Sequence, residues 1–204
     1  MKRLAVAFGS FLLLAACAGG SGPPSDSFYR LEPSDVGRRY GQPLLDGTVQ
    51  VTRFAADGVT GGRPIVYMSD GQTLRQYNYH YWVESPAKQM QAAMIAALRR
   101  AEVAPRVVSP DLRVLADWRV DGTLRRLDYE PGPDSRVVVR MELSLVDTRD
   151  GEVLLLDTFE VTQPVGRDAV PAAVRAFNAA TAELLGRFLD QLAEQARPKS
   201  AAAR

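Results

Sequence analysis

A single cysteine, Cys17, in 204 residues removes one whole class of solutions for this chain. No disulfide can form within it, so whatever folds must be held by an apolar core and by backbone hydrogen bonding. A lone thiol so close to the N-terminus also sets a boundary. The roughly 170 residues after position 26 suit one domain with a sizeable core. Charge narrows the class further. Taking Lys2 and Arg3 away from the 25 Lys and Arg leaves the rest near neutral against 24 Asp and Glu, so no basic footprint for nucleic acid is expected.

The segment before Cys17 explains the cysteine. Lys2 and Arg3 form a positive start, and Leu4 to Ala16 is apolar except at Gly9 and Ser10. Spanning a bilayer takes about 20 apolar residues, so this run is too short for that and has the length of a signal-peptide core. It ends in Leu14-Ala15-Ala16-Cys17, which resembles the lipobox of bacterial prolipoproteins. Small residues at 15 and 16 let the backbone enter a peptidase cleft. The thiol of Cys17 accepts a diacylglyceryl group, and the freed amine takes a further acyl chain. Each buried CH₂ contributes about 0.8 kcal/mol, so several chains anchor far more firmly than one. The expected organisation is a lipoprotein signal peptide over 1–16, a lipidated cysteine and flexible tether over 17–26, one domain over 27–197 and a tail over 198–204. Ala18 is not the aspartate that resembles an inner-membrane retention signal, so the expected location is the periplasmic face of the outer membrane.

Hydrophobic periodicity predicts an α+β domain: an antiparallel β-sheet with two helices packed on one face. A short strand is expected near Phe28–Leu31 and a half-buried one over Thr48–Phe54. Asp70-Gly71 sits between two strand-like runs and predicts a hairpin, because a type I′ turn needs positive φ at both central residues. Ser85-Pro86 predicts a helix start, with Ser85 as N-cap, and Pro105 its stop. Met90, Ala93, Met94, Ala97, Leu98 and Ala101 supply the apolar stripe. A three-strand meander comes next. Val114, Ala116, Trp118, Val120 and Leu124 are expected on one face of its first strand. Val137, Val139, Met141, Leu143 and Leu145 serve the second, and Val153, Leu155, Phe159 and Val161 the third. Asp168 is expected to cap a last helix, whose stripe runs from Val170 through Val174, Phe177, Thr181, Leu184, Leu185 and Phe188 to Leu192.

The residues offer little chemistry. His80 is the sole histidine, and zinc sites need several N or S ligands. No G-x-S-x-G elbow, P-loop or dinucleotide fingerprint is present. Asp117, Asp121, Asp147 and Asp150 read as solvent-facing acids and turn residues. No catalytic residue, metal or cofactor is therefore expected. The unusual feature is aromatic. Tyr77, Tyr79 and Tyr81 are expected on one strand face in line with Arg75, with Trp82 on the other beside Leu74 and His80. These four aromatic residues are candidate partner or lipid contacts, since Tyr gives large contact area at low entropic cost. The competing reading is that tyrosines are good strand residues that stack across a sheet.

Four segments resemble the ABC-type transport auxiliary lipoproteins, the PqiC-like family. The first is Phe28-Tyr29-Arg30-Leu31. The second is Val49 to Phe54 with Arg63-Pro64-Ile65-Val66-Tyr67. The third is Tyr77 to Pro86, leading into the apolar helix. The fourth is the long strand holding Asp121-Gly122, with two more strands and a C-terminal helix after it. The likeness spans roughly residues 28 to 195. It implies a non-catalytic lipoprotein that accompanies an MCE-type ABC system moving lipids between inner and outer membranes. The implied partners are a periplasmic MCE-domain protein, the membrane itself through the N-terminal lipid, and further copies of the chain in a homo-oligomer. Two other classes remain open on the residues alone: a periplasmic cell-envelope hydrolase, and a structural lipoprotein assisting outer-membrane assembly.

Cys17→Ser is expected to abolish lipidation and to leave uncleaved precursor. Metabolic labelling with a fatty-acid analogue checks this, and equal incorporation in the mutant would sink the lipobox reading.

Overall fold

The computed structural model describes residues 24–34, 36–166 and 169–196. The signal segment, Cys17, the tether as far as residue 23, Asp168 and the tail all lie outside the described residues. Nine strands and two helices are described: β1 (Ser27–Tyr29), β2 (Thr48–Val51), β3 (Ala55–Ala56), β4 (Pro64–Ser69), β5 (Thr73–Trp82), α1 (Pro86–Arg100), β6 (Arg106–Val108), β7 (Trp118–Glu130), β8 (Arg136–Asp147), β9 (Val153–Pro164) and α2 (Val170–Ala196). The α+β class is the expected one.

Strand β7 is the axis of the sheet. Along one edge it pairs antiparallel with β8, which pairs antiparallel with β9, giving the expected meander. Along its other edge three short strands lie end to end, all parallel to it: β2 at Trp118–Val120, β3 at Thr123–Leu124 and β4 at Asp128–Tyr129. β6 extends the sheet beyond β2, and the β4–β5 hairpin carries β1 beyond β4. The sheet is therefore mixed rather than purely antiparallel. Parallel neighbours need crossover connections, and the one between β2 and β6 runs through β3, the β4–β5 hairpin and α1.

Both helices cover the same face. Alternation puts Val137, Val139, Met141, Leu143 and Leu145 of β8 against them, all fully buried. The two predicted helical stripes are buried along their whole lengths. The described residues between β1 and β2 form no helix or strand. This strap is pinned to the helices by Leu31 N–H to Gln89 Oε1 (2.8 Å), Glu32 N–H to Asn178 Oδ1 (2.8 Å) and a two-pronged Arg38–Asp190 pair (2.6 Å).

Local chemistry explains most boundaries. Asp70 and Gly71 both have positive φ (53° and 74°), as a type I′ turn requires. Helix α1 starts at Pro86 as expected, but Ser85 makes no side-chain capping bond. The helix stops before Pro105, because Glu102 (φ 56°) enters the left-handed region and Val103 N–H reaches back to Leu98 O at 3.1 Å. Two expected strand faces are corrected. Val114 to Ala116 lie outside β7: Arg113 is left-handed (φ 51°), and the chain there has no strand neighbour. Val153 points outward, because the register shifts between Leu145 and Val146 and flips its side of the sheet.

Gly122 sits mid-strand under the Phe54 ring, where an added Cβ would lie 2.8 Å from two ring carbons, so the close contact requires glycine. Thr181 is the reverse case, a polar atom in the stripe of α2 that is fully buried with no hydrogen-bond partner. Thr181→Val keeps the shape and removes an unsatisfied hydroxyl, so it is expected to stabilise the domain by about 1 kcal/mol. That corresponds to a rise of ~2–4 °C in Tm, and an unchanged or lower melting temperature would contradict this packing.

Candidate functional site

The aromatic run in β5 does not stay on one face. Pairing with β4 holds from Thr73 to Gln76 and resumes at Tyr81, opposite Pro64, with a register shift between. Residues 77–80 carry this bulge, and Tyr79 takes a left-handed φ of 64° inside it. For a bulky side chain that is a true conformational outlier. The bulge separates the three tyrosines. Tyr77 turns into a cluster with Tyr67 (centroids 4.4 Å apart), Tyr129 (6.4 Å) and His80 (5.9 Å, edge-on). Tyr81 packs on Phe28 at 5.8 Å. Tyr79 projects outward and is 43% exposed. Trp82 is core, 1% exposed and edge-on to Phe177 of α2 at 5.6 Å. The structure thus brings Tyr77 into a packed cluster, puts Trp82 out of reach of any partner, and leaves Tyr79 and Tyr81 at the surface.

His80 belongs to the same cluster. Its Nδ1 lies 2.9 Å from the Tyr29 hydroxyl, and the two rings stack at 5.8 Å. Tyr29 comes from β1, which pairs in parallel with His80–Trp82. The contact therefore ties β1, the first described strand, to the sheet.

The acids singled out in the sequence are also engaged. Asp117 Oδ2 accepts the Thr48 N–H at 2.7 Å, beside Gly47, whose φ of 72° and lack of Cβ make room for it. Asp121 accepts from Arg119 Nε (2.8 Å) and the Thr52 hydroxyl (3.0 Å). Asp147 is gripped by Arg149 through its guanidinium (Nε at 2.8 Å) and its backbone N–H (2.9 Å). The guanidinium bond first, and the backbone bond second, hold its carboxyl below the usual carboxylate range. Asp150 accepts the Glu152 N–H at 2.8 Å and shapes the turn. Among the described residues no group of three or more His, Cys, Asp or Glu could hold a metal ion, and no helix is long and apolar enough to cross a membrane.

Apart from Val59, between β3 and β4, the exposed large apolar side chains gather instead at two ends of the sheet. One group surrounds β1 and the β4–β5 hairpin: Phe28, Leu74 and Tyr79. The other lies where β7 begins: Leu112, Val114 and Leu115 on the loop before it, with Val153 and Leu156 of β9. Leu115 is 98% exposed. The loop is braced by Thr148, whose N–H donates to Asp117 O at 2.9 Å and whose hydroxyl donates to Ala116 O. The run of β7 from Trp118 to Leu127, at ~3.3 Å per residue, puts the two ends on the order of 30 Å apart. A separate groove of about 400 Å³ lies between the strap at Arg30–Val36 and an alanine-rich face of α1 that includes Ala92 and Ala96. Neither the exposed loop nor the groove was anticipated from sequence. The only available signals were Leu112-Arg113-Val114-Leu115 next to turn residues, and small side chains spaced four apart.

Residues 29–187 match the family described as ABC-type transport auxiliary lipoprotein component. No curated protein matches the sequence. Solved structures share the fold. Protein XCC0632 from Xanthomonas campestris superposes with a TM-score of 0.73 at 15% identity, over 86% of this chain and 99% of that one. A second, uncharacterised protein gives 0.67 at 15% identity, over 82% and 99%. The hypothetical protein CT253 from Chlamydia trachomatis gives 0.50 at 8% identity, over 75% and 99%. At these identities the likeness speaks for the fold alone.

The bulge predicts opposite responses at two tyrosines two residues apart. Glycine relieves a left-handed strain of ~1–2 kcal/mol at position 79 and gives back ~0.5–1 in chain entropy. Tyr79→Gly should therefore melt at or slightly above the wild type. Tyr77→Gly removes a packed ring and should cost about 3 kcal/mol or more. Thermal melts of the two variants decide the matter; a Tyr79→Gly protein as unstable as Tyr77→Gly would mean that position 79 carries no left-handed strain.

Proposed function

The chain belongs to the family of ABC-type transport auxiliary lipoprotein components, a membrane-anchored protein of the cell envelope, and on that premise we propose that it is a non-catalytic docking subunit. Its system is an MCE-type ABC transporter that moves lipids between the inner and outer membranes. Its lipid at Cys17 holds it on the periplasmic face of the outer membrane, where it receives the periplasmic MCE-domain protein. The observation that carries this reading is the fate of the candidate acid and base groups. His80, Asp117, Asp121 and Asp147 are each spent on a structural contact, while exposed apolar surface is concentrated at the ends of the sheet. Binding energy at protein surfaces concentrates in a few anchors that become buried, and Leu115 has the exposure such an anchor needs.

The partner is expected at the end of the sheet far from β1. Leu115→Asp changes an almost fully exposed side chain and should leave folding unchanged. It is expected to reduce in-cell crosslinking to the periplasmic MCE-domain protein at least tenfold, equivalent to ~1.4 kcal/mol. His80→Ala should leave that crosslinking intact. Mass spectrometry of the crosslinked species, with circular dichroism of both variants, is the measurement. A folded His80→Ala protein that loses all function in an envelope-integrity assay, while Leu115→Asp keeps it, would overturn the docking role. Membrane fractionation on a sucrose gradient tests the location, and recovery with inner-membrane markers would refute the outer-membrane assignment.

A further inference from the structure

The corner formed by β1 and β5 combines three features that a buried sheet edge does not need. First, Tyr79 is held in a strained left-handed conformation by the bulge that separates it from Tyr77 and Tyr81. Strain of this kind persists only where the surroundings over-determine it, and it gathers at functional places. Here its visible effect is to aim an aromatic ring outward. Second, Phe28 on β1 is more than half exposed, although it could have packed away. It is held in place instead, by Tyr81 on one side and by the Arg63 guanidinium, 5.6 Å from its ring centre. Arg63 is itself fixed by its Nε–H bond to Trp82 O at 3.0 Å. Third, among the described residues β1 pairs only with His80–Trp82, and Leu74 is exposed farther along β5 toward its hairpin.

Position in the chain says what covers this corner. The ten positions from Cys17 to Ser27 span at most ~35 Å when fully extended. β1 runs parallel to β5, so the chain arrives at Ser27 from the β4–β5 hairpin end of the sheet. An acyl-anchored Cys17 therefore keeps this corner within that distance of the bilayer, and the Leu112–Leu115 loop is at the other end. Tyr, Phe and Leu together with an arginine on an apolar ring are the side chains that settle at the headgroup–acyl boundary, where one end is apolar and the other wet. A patch confined near the surface by a short tether needs little affinity of its own.

We propose that the Phe28–Tyr79–Leu74 corner lies against the lipid surface of the membrane that holds Cys17, and so orients the domain with its Leu115 end facing away. The inference rests on the lipid-anchor reading, and the two are tested separately. The protein carries its own control, since Trp118 is partly exposed at the far end and Trp82 is in the core. Full-length lipidated protein is added to phosphatidylethanolamine–phosphatidylglycerol vesicles with or without brominated acyl chains, and tryptophan emission is read. Emission from Trp118, read as the part that Trp118→Phe removes, should be unchanged by bromine. Tyr79→Trp should add emission that brominated lipid mostly removes, and Phe28→Trp, at an unstrained position, should behave alike and guards against a folding defect at 79. Three results overturn the proposal. Added emission that bromine leaves untouched does so, and a blue shift with it would mean a second copy covers the corner. Quenching of that Trp118 emission does so too, since it would bring the far end of the sheet to the membrane. Finally, intact mass without acyl chains would remove the anchor, and the inference with it, whereas an acylated protein that floats with vesicles but shows no quenching removes the inference alone.

Discussion

The fold depends on one strand serving two incompatible edges. β7 is paired along its whole length on the β8 side, and on the other side it is paired in three separate places with strands that arrive from elsewhere in the chain. Its inner face gives Val120, Leu124, Leu127 and Tyr129 to the core beneath the helices. To keep that face inward through thirteen residues the strand takes a bulge at Arg125, where the register shifts between Leu124 and Arg126. Were Arg125 paired in regular alternation instead, Leu127 and Tyr129 would turn to the uncovered side and Asp128 would enter the core.

Among the described residues no helix lies over that side, which is laid out in charges of alternating sign. Arg125 reaches Asp57 (3.0 Å) and Glu142 (3.1 Å), Arg126 reaches Asp128 (2.6 Å) and Glu130 (2.9 Å), and Arg140 pairs with Glu160. Most are exposed pairs worth ~0–1 kcal/mol each, so they keep the face wet and soluble more than they stabilise it. Asp128 differs, being only 2% exposed. A carboxylate so covered depends on its partner, and removing Arg126 would leave it charged and unpaired at a cost of about 3 kcal/mol or more. The wet face is thus a poor docking surface, and the exposed apolar area falls to the ends.

Legibility in the sequence tracks the range over which each signal acts. β8 alternates without interruption, so Val137 to Leu145 were assignable to one face. The stripes of α1 and α2 repeat at the helical period, and Asp70-Gly71 needs only its own dihedral angles. Each of these is a local pattern. The failures are non-local or break a period. Parallel pairing of β2, β3 and β4 on β7 leaves no local signature, because the partners lie tens of residues apart. The bulges near Tyr79 and Leu154 each flip every side chain beyond them, so alternation counted across them gave the wrong face to Tyr77, Trp82 and Val153. The aromatic run does form a strand, but which of its side chains face outward depends on a bulge that the run of good strand formers conceals.

The same bulge links architecture to function. A regular β5 would have offered a flat aromatic ladder on one face, an edge that invites unwanted pairing. The distortion divides that ladder into an interior half, where Tyr77 packs on His80 and His80 fastens Tyr29 of β1 to the sheet, and an exterior half, where Tyr81 packs on Phe28 and Tyr79 is exposed. One local strain of ~1–3 kcal/mol therefore serves two purposes, since the residues that secure β1 and those that face outward come from a single strand. The domain's stability elsewhere, in the dry face shared by β7, β8 and the two helices, is what allows that strain to persist. On the docking proposal the sheet serves as a rigid spacer, with the anchored end and the exposed leucine loop on the order of 30 Å apart, so that the lipoprotein acts by setting where membrane and partner meet.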